Sequence, residues 1–294
     1  INPANGEMIA SIPNSNGKDV DLAVQAADNA RESWSSLSID ERAQWLVKIA
    51  NSLESRSEEI ASLESLDTGK PISLARAVDA SRSVTNFRFF GEFAKDYTQE
   101  KFEMDDATNH VILKPVGIAG LITPWNLPLY LLSWKIAPAI VMGNTVIAKP
   151  SELTPLTANL LAEVIHEIGL PKGVVNIVHG LGSDAGQAIV EHPKINLISF
   201  TGGTATGKKV AETAAPMFKK LSLELGGKNA TLVLDDADIE AVIPGVARAG
   251  FLNQGQVCLC GSRIFVSKKI WGDFVPKFVN YVKDMKIGDP SSDD

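Results

Sequence analysis

Long apolar runs are missing from this 294-residue chain, as are blocks of basic residues and cysteines in number. A membrane span needs roughly 18 consecutive apolar residues. The longest candidate, Leu127 to Met142, is interrupted by Pro128, Trp134-Lys135 and Pro138, so no membrane partner is expected. A net charge of −7 without a lysine–arginine block sets nucleic acid aside. Two cysteines point to a reducing, cytoplasmic setting. Cys258 and Cys260 are two apart, at or beyond disulfide reach if extended, and are expected to stay free. His110, His166, His179 and His192 lack metal-ligand spacing and no Gly-x-Ser-x-Gly occurs, so neither a metal site nor a serine-hydrolase elbow is supported.

What is present suits a soluble globular chain with a substantial core: 45% hydrophobic and 21% charged residues. Ile1 is not a natural start, and Pro290 to Asp294 reads as a loop cut short. Helical spacing predicts a helix over Asp19 to Trp34. The capping box opening at Ser38 with Glu41 predicts a long amphipathic helix to about Leu66, and Pro71 opens another to about Ala94. Beyond about Thr108 the pattern alternates. Short apolar strands at 116–123, 145–149, 174–178, 197–200 and 221–225 are mostly separated by helical stretches at 154–168, 183–191 and 206–214. Another strand and turn (229–238) and a helix (237–251) precede the strand 263–266. Such alternation means βαβ units in a parallel sheet, with ligands bound beyond the carboxyl ends of the strands.

The residues able to do chemistry lie just past those ends. Asn253-Gln-Gly-Gln-Val-Cys258-Leu-Cys-Gly261 sets a thiol among amides and glycines. Most lone cysteines are inert core residues, but a core thiol has no use for such a loop, whereas a nucleophile does. Asn126 of Pro124-Trp125-Asn126 either caps a turn or donates to a developing oxyanion. Glu224 sits in an apolar strand before Gly226-Gly227. A carboxylate expected to be buried there needs a reason, and general-base work supplies one. Gly180-Leu-Gly182-Ser-Asp-Ala185 fits a dinucleotide-binding turn after a strand, without the usual acidic residue about 20 positions on. Gly202 to Lys208 falls one residue short of a P-loop, since Lys209 replaces the magnesium-holding hydroxyl; a metal-free phosphate cradle remains. In Lys149-Pro-Ser151-Glu152, a lysine and a carboxylate either surround a helix cap or bind ribose hydroxyls. Arg82, with Asn86 and Arg88, marks a polar oddity on a helix whose ordinary explanation is a solvated face.

Pro124-Trp-Asn126, Lys149-Pro-Ser-Glu152, Phe200-Thr-Gly-Gly203, Glu224-Leu-Gly-Gly227 and the Cys258 loop together resemble the NAD(P)-dependent aldehyde dehydrogenase superfamily in order and spacing. The resemblance implies an α/β fold: a Rossmann-like parallel-sheet NAD-binding domain (1–96 and 116–226) and the start of a second α/β catalytic domain (227–294). Residues 97–115 would be part of an oligomerisation hairpin. It implies Cys258 as nucleophile, Asn126 with the Cys258 N–H as oxyanion hole, and Glu224 as the base for the deacylating water. Lys149 joins this catalytic set and, with Glu152, holds the adenosine ribose; Glu152 favours NAD over a 2′-phosphate. Ile122, Thr123, Pro124, Trp125, Ser151, Gly182, Gly186, Phe200, Thr201, Gly202, Gly203, Leu225 and Gly226 would surround the cofactor.

Within that family, Asn126-Leu-Pro-Leu-Tyr-Leu-Leu, the stretch Arg82 to Phe90 and Cys258-Leu-Cys260 are similar to the 2-aminomuconic and 2-hydroxymuconic semialdehyde dehydrogenases. Arg82 would then bind the substrate carboxylate, with Asn126, Leu127 and Leu259 lining the pocket. Family members are longer, so this chain would end partway into the catalytic domain of a homodimer or homotetramer. Another semialdehyde, an aliphatic aldehyde, or a protein that holds NAD without turnover are the competing readings.

Overall fold

The computed structural model describes residues 1–97 and 99–292; Thr98, inside the 97–115 segment, and Asp293 and Asp294, at the end of the expected terminal loop, lie outside the described residues. The helical lead forms α1 (Gly17–Ser36), α2 (Ile39–Ser55) and α3 (Ser57–Thr68). Asn16 and Ser38 close capping boxes with Asp19 and Glu41, satisfying the first free N–H groups of α1 and α2. The single helix expected from Ser38 to Leu66 is broken at Arg56 (φ −108°, ψ 19°). The bend allows Leu53 before it and Ile60 after it both to be fully buried. Gly69, at φ 71°, ends α3 in the left-handed conformation that glycine adopts without strain. Helix α4 (Ile72–Leu74) runs through a wide π-type turn at Ala75–Ala80 into α5 (Ser81–Phe93). A short exposed hairpin follows, β1 (Lys101–Glu103) against β2 (Thr108–His110).

The alternating region builds β3 (Ile118–Ile122), α6 (Pro128–Val141), β4 (Thr145–Lys149), α7 (Leu156–Glu167), β5 (Val175–Ile177), α8 (Gln187–Glu191), β6 (Ile195–Gly202), α9 (Thr204–Ala214) and β7 (Lys220–Leu225). All five strands run parallel, in the order β5-β4-β3-β6-β7. The chain winds outward from β3 through β4 to β5, then returns to place β6 on the other side of β3. That reversal opens a crevice beyond the carboxyl ends of β3 and β6, where α/β sheets bind ligands. Every residue of β3 and β4 is buried, as strands covered on both faces must be. One face carries Leu46, Phe87, Leu132, Ile136 and Leu161 from α2, α5, α6 and α7. The other carries Val20 and Val24 of α1, Ile189 of α8 and Val210 of α9. Gly120 permits this closeness, because a Cβ there would lie 2.6 Å from Ile189 Cγ2.

The prolines that interrupt the apolar run Leu127 to Met142 do not prevent helix α6. Pro128 occupies the first turn, where no N–H is required. Pro138 leaves only the carbonyl of Trp134 without its helical partner, on a residue that is 47% exposed. A smaller parallel pair, β8 (Ala230–Val233) with β9 (Arg263–Val266), is packed by α10 (Ile239–Phe251) and α11 (Trp271–Lys283) around Val233, Ile243, Val246 and Phe274. Helix α11 likewise contains an internal proline, Pro276. Among the described residues, no helix is long and apolar enough to cross a membrane, and no cluster of three metal-ligating side chains occurs.

Candidate active site

A groove of about 500 Å³ lies at the sheet reversal, lined by Ile122, Glu152, Leu181, Gly182, Ser183, Gly186, Gln187, Val190, Phe200, Ala205, Thr206, Lys209 and Val210. Five of these residues are cofactor candidates from the sequence: Ile122, Glu152, Gly182, Gly186 and Phe200. Its floor is apolar and one wall carries a carboxylate. Lys149, at the end of β4 and 2% exposed, donates to Glu152 Oε2 at 3.0 Å and to the Pro150 carbonyl at 2.8 Å. Burial works against the Glu152 charge, yet its own N–H, the Lys149 ammonium and the Gly182 N–H hold the carboxyl below its ordinary value. Neither Gly182 nor Gly203 has an atom within 4 Å of where a Cβ would stand, so both leave backbone open to an approaching ligand. Gly203 also caps α9 without any side-chain cap, so that helix turns unsatisfied N–H groups toward the groove's end. An apolar floor, a ribose-sized acid and bare N–H groups at a helix start fit a dinucleotide.

The remaining cofactor candidates frame this groove without lining it. Thr123 is buried, and its N–H donates to the Lys149 carbonyl at 3.1 Å. The Trp125 carbonyl accepts from Thr154 Oγ1 at 3.2 Å, tying the end of β3 to that of β4, with half-buried Pro124 between. Ser151 Oγ accepts from the Leu153 N–H inside the turn, and α7 starts only at Leu156, so neither Ser151 nor Thr154 caps it. Thr201 and Gly202 pair in register with Glu224 and Leu225. A Cβ on Gly202 would stand 2.5 Å from the Phe200 ring. Gly226 lies just past β7, exposed.

The segments carrying the catalytic candidates meet. Asn126 Nδ2 donates to the Gln256 carbonyl at 2.6 Å, two residues before Cys258. The Cys258 carbonyl accepts from Asn229 Nδ2 at 2.8 Å, and Gly227 sits against it as well. The turn that follows Glu224 and the Asn126 turn therefore both touch the cysteine loop. An amide has two N–H groups, and one of Asn126 remains for an oxyanion after the bond to Gln256. Both cysteines are free; Cys258 is exposed and Cys260 buried. Asn253 and Gln254, at φ 53° and 54°, hold a left-handed turn ahead of the thiol, a conformation non-glycine residues adopt only when tied down.

The expected burial of Glu224 is not observed: it is exposed. β7 is the edge strand, and its burial alternates, with Leu223 and Leu225 half-buried and Glu224 between them exposed. Leu259 is 78% exposed, whereas Leu127 is half-buried at the start of α6. Arg82 is exposed on α5. Asn86, one turn on, donates to the Tyr130 carbonyl at 3.1 Å and to Ser133 Oγ at 2.9 Å, and Phe90 meets Trp134 edge-on. Arg82 lies one turn before Asn86 on α5.

Two groups of charged residues escaped the sequence reading. Lys135, buried in α6, donates to Ser199 Oγ at 2.7 Å; burial pulls its ammonium down to about 8, opposed by the charge of nearby Glu224. Its signal was a lone lysine inside an apolar run. Lys70, Glu64 and Asp79 form a fully buried ionic cluster behind Asn126. The Gly69-Lys70-Pro71 corner betrays it only as a helix end.

Set against known proteins, the profile of the aldehyde dehydrogenase family matches residues 1–294, and the chain belongs to that family. It is 50% identical over 291 residues to the human 2-aminomuconic semialdehyde dehydrogenase, covering 98% of this chain and 60% of that protein. The 2-hydroxymuconic semialdehyde dehydrogenase of Pseudomonas sp. (strain CF600) is 44% identical over 297 residues, covering 99% and 61%. The crystal structure of PnpE from Pseudomonas sp. WBC-3 superposes with a TM-score of 0.96 at 44% identity, covering 99% of this chain and 60% of PnpE; PnpE has also been solved with nicotinamide adenine dinucleotide. The chain thus spans about 60% of the length of these relatives.

Proposed function

We propose that this chain carries the NAD-binding and nucleophile-bearing part of an aldehyde dehydrogenase acting on a carboxylated semialdehyde of the 2-aminomuconic or 2-hydroxymuconic type. The observation carrying this reading is the meeting of three distant segments: Asn126, the Cys258 loop and the turn after Glu224, beside a dinucleotide-sized groove. Cys258 is the nucleophile; its sulfur adds to the aldehyde carbon as a thiolate, giving a thiohemiacetal. The free Asn126 N–H and the Cys258 N–H stabilise the oxyanion, where one donor contributes roughly 3–4 kcal/mol. NAD, when bound, supplies the hydride acceptor. Glu152 and Lys149 orient its adenosine ribose, and the open backbone at Gly182 and Gly203 faces its phosphates. Collapse of the oxyanion leaves a thioester on Cys258, and Glu224 takes a proton from the water that hydrolyses it.

Arg82 supplies a bidentate partner for the substrate's carboxylate, supported by its exposure on α5 one turn before Asn86, which bonds to α6, and by the muconic relatives. Residues 1–96 and 116–226 act as the NAD-binding unit and 227–294 as the beginning of the catalytic unit. The 97–115 hairpin serves assembly into a cytoplasmic homodimer or homotetramer. The alternative reading is a chain that holds NAD without turnover. Absorbance of reduced nicotinamide with a muconic-type semialdehyde, compared with Cys258→Ala, decides between them. Turnover lost only in Cys258→Ala supports the dehydrogenase. Tight NAD binding with no signal from either supports the alternative. Arg82→Ala should weaken turnover of the carboxylated aldehyde while sparing an uncharged one, and equal activity on both would remove the muconic assignment.

A further inference from the structure

Directly behind Asn126 lies a charged cluster for which packing alone gives no reason. Lys70 has no solvent exposure, nor do Glu64 and Asp79. Its ammonium donates to Asp79 Oδ2 at 2.8 Å and to the backbone carbonyl of Asn126 at 3.3 Å, with Glu64 Oε2 3.9 Å away. The ammonium thus hydrogen-bonds one carboxylate and one peptide, with the Glu64 carboxyl at ion-pair distance only. Glu64 is itself fixed, because its Oε1 accepts from the Leu129 N–H at 3.0 Å and from Thr157 Oγ1 at 2.9 Å. A methionine would fill this space without taking an ion out of water. What the ammonium adds is a directed bond to one peptide, and that peptide carries the amide of the reacting centre.

The same corner ties down the cysteine loop. Asn253 Nδ2 donates to the Asn126 carbonyl at 3.0 Å, sharing it with Lys70. Gln254 Nε2 donates to the Gly69 carbonyl at 2.8 Å. Asn253 and Gln254 are the two residues held in left-handed conformation before Cys258.

We propose that Lys70, oriented by Asp79 and Glu64, is a positioning residue that fixes the Asn126 peptide and thereby aims its side-chain N–H at the aldehyde oxygen, while the adjoining Gly69 carbonyl anchors the turn leading to Cys258. The inference rests on the oxyanion role given to Asn126 above. Lys70 touches neither substrate nor thiol; it acts through the Asn126 side chain.

A double-mutant cycle tests it, in the protein expressed from its complete reading frame, with kcat followed by reduced-nicotinamide absorbance at saturating NAD. Asn126→Ala should lower kcat by about 10²–10³-fold. Lys70→Met should lower it by about 10–10²-fold with the aldehyde KM within about twofold, as expected when a reacting group is misplaced and substrate binding is untouched. In the Asn126→Ala background, Lys70→Met should cost nothing further, since the group it aims has gone. Multiplying losses would overturn the proposal by showing that Lys70 acts elsewhere, and so would an unchanged kcat in Lys70→Met alone. Should Asn126→Ala leave kcat intact, the oxyanion reading itself fails and the proposal falls with it, a result distinct from the other two. If Lys70→Met does not fold, Asp79→Asn, which keeps the shape of its partner, runs the same cycle: a loss present alone and absent with Asn126→Ala supports the proposal, and a multiplying or absent loss overturns it.

Discussion

The two ends of the groove are built differently. At the adenosine end the charged residues are paired within the chain: Lys149 is 2% exposed and joined to Glu152, against an apolar floor from β3 and β6. At the cysteine end the proposed nucleophile and base, Cys258 and Glu224, are exposed in this chain, which spans about 60% of its relatives' length; what is buried there is the cluster of Lys70 with Glu64 and Asp79. Charge is thus handled by one ion pair beside the groove at the first end, and by a three-residue cluster beneath the loop at the second.

The largest effect that would sharpen this contrast is expected from Glu224→Gln. With no base for the water, steady-state turnover should fall about 10²–10⁴-fold while a single rapid burst of reduced nicotinamide survives. Stopped-flow absorbance separates the two phases, and loss of the burst together with turnover would show that Glu224 acts before the thioester.

A smaller effect is expected at the other end. Glu152→Gln should weaken NAD binding by about tenfold, near 1.4 kcal/mol, and bring the affinities for NAD and its 2′-phosphorylated form closer together. Titration by calorimetry measures both ligands, and unchanged affinity for each would mean that the Lys149–Glu152 pair is structural only.

The support behind the cysteine end should announce itself in stability. Burial pushes the Glu64 carboxyl from its ordinary 4.5 up to about 7, aided by the Asp79 charge and opposed by Lys70. Between those values the folded state binds more protons than the unfolded one, so stability from this group is complete below about 4.5 and is lost as pH rises through about 7. Asp67, pushed to about 6 by burial, adds the same sign over a lower window. Glu64→Gln should flatten its share of the slope, gaining on the parent by a few °C in Tm between pH 5 and 8, roughly what one buried group is worth in a small domain. Parallel melting curves across that range would contradict a Glu64 that holds its proton in the folded state.

The smallest effect is predicted on the surface. Arg88→Ala, removing an exposed bond to Glu54, should barely shift the midpoint of denaturant titration, and less at high salt. A larger loss would mean that this face is organised more like the buried cluster than like ordinary surface.

Local chemistry carried much of this into the sequence. Short apolar runs located β3 and β4 to within a few residues, because a strand covered on both faces must be apolar throughout, and alternating apolar residues located β7 at the edge. Short motifs drew attention to Asn126, Lys149, Glu152 and Glu224, at or near the ends of β3, β4 and β7, and to the Cys258 loop ahead of β9. Composition alone told against nucleic-acid and disulfide chemistry. Other features were decided only when distant segments met. The exposure of Glu224 depends on which strand becomes the edge, a property of strand order that alternation within β7 cannot reveal. Helices α6 and α11 survive their prolines because position and solvent make up for the absent bonds. The Lys70–Glu64–Asp79 cluster exists because a helix corner, a π-type turn and the start of α6 are folded against one another, and an ammonium can be stable out of water only where tertiary packing brings its counter-charges to it.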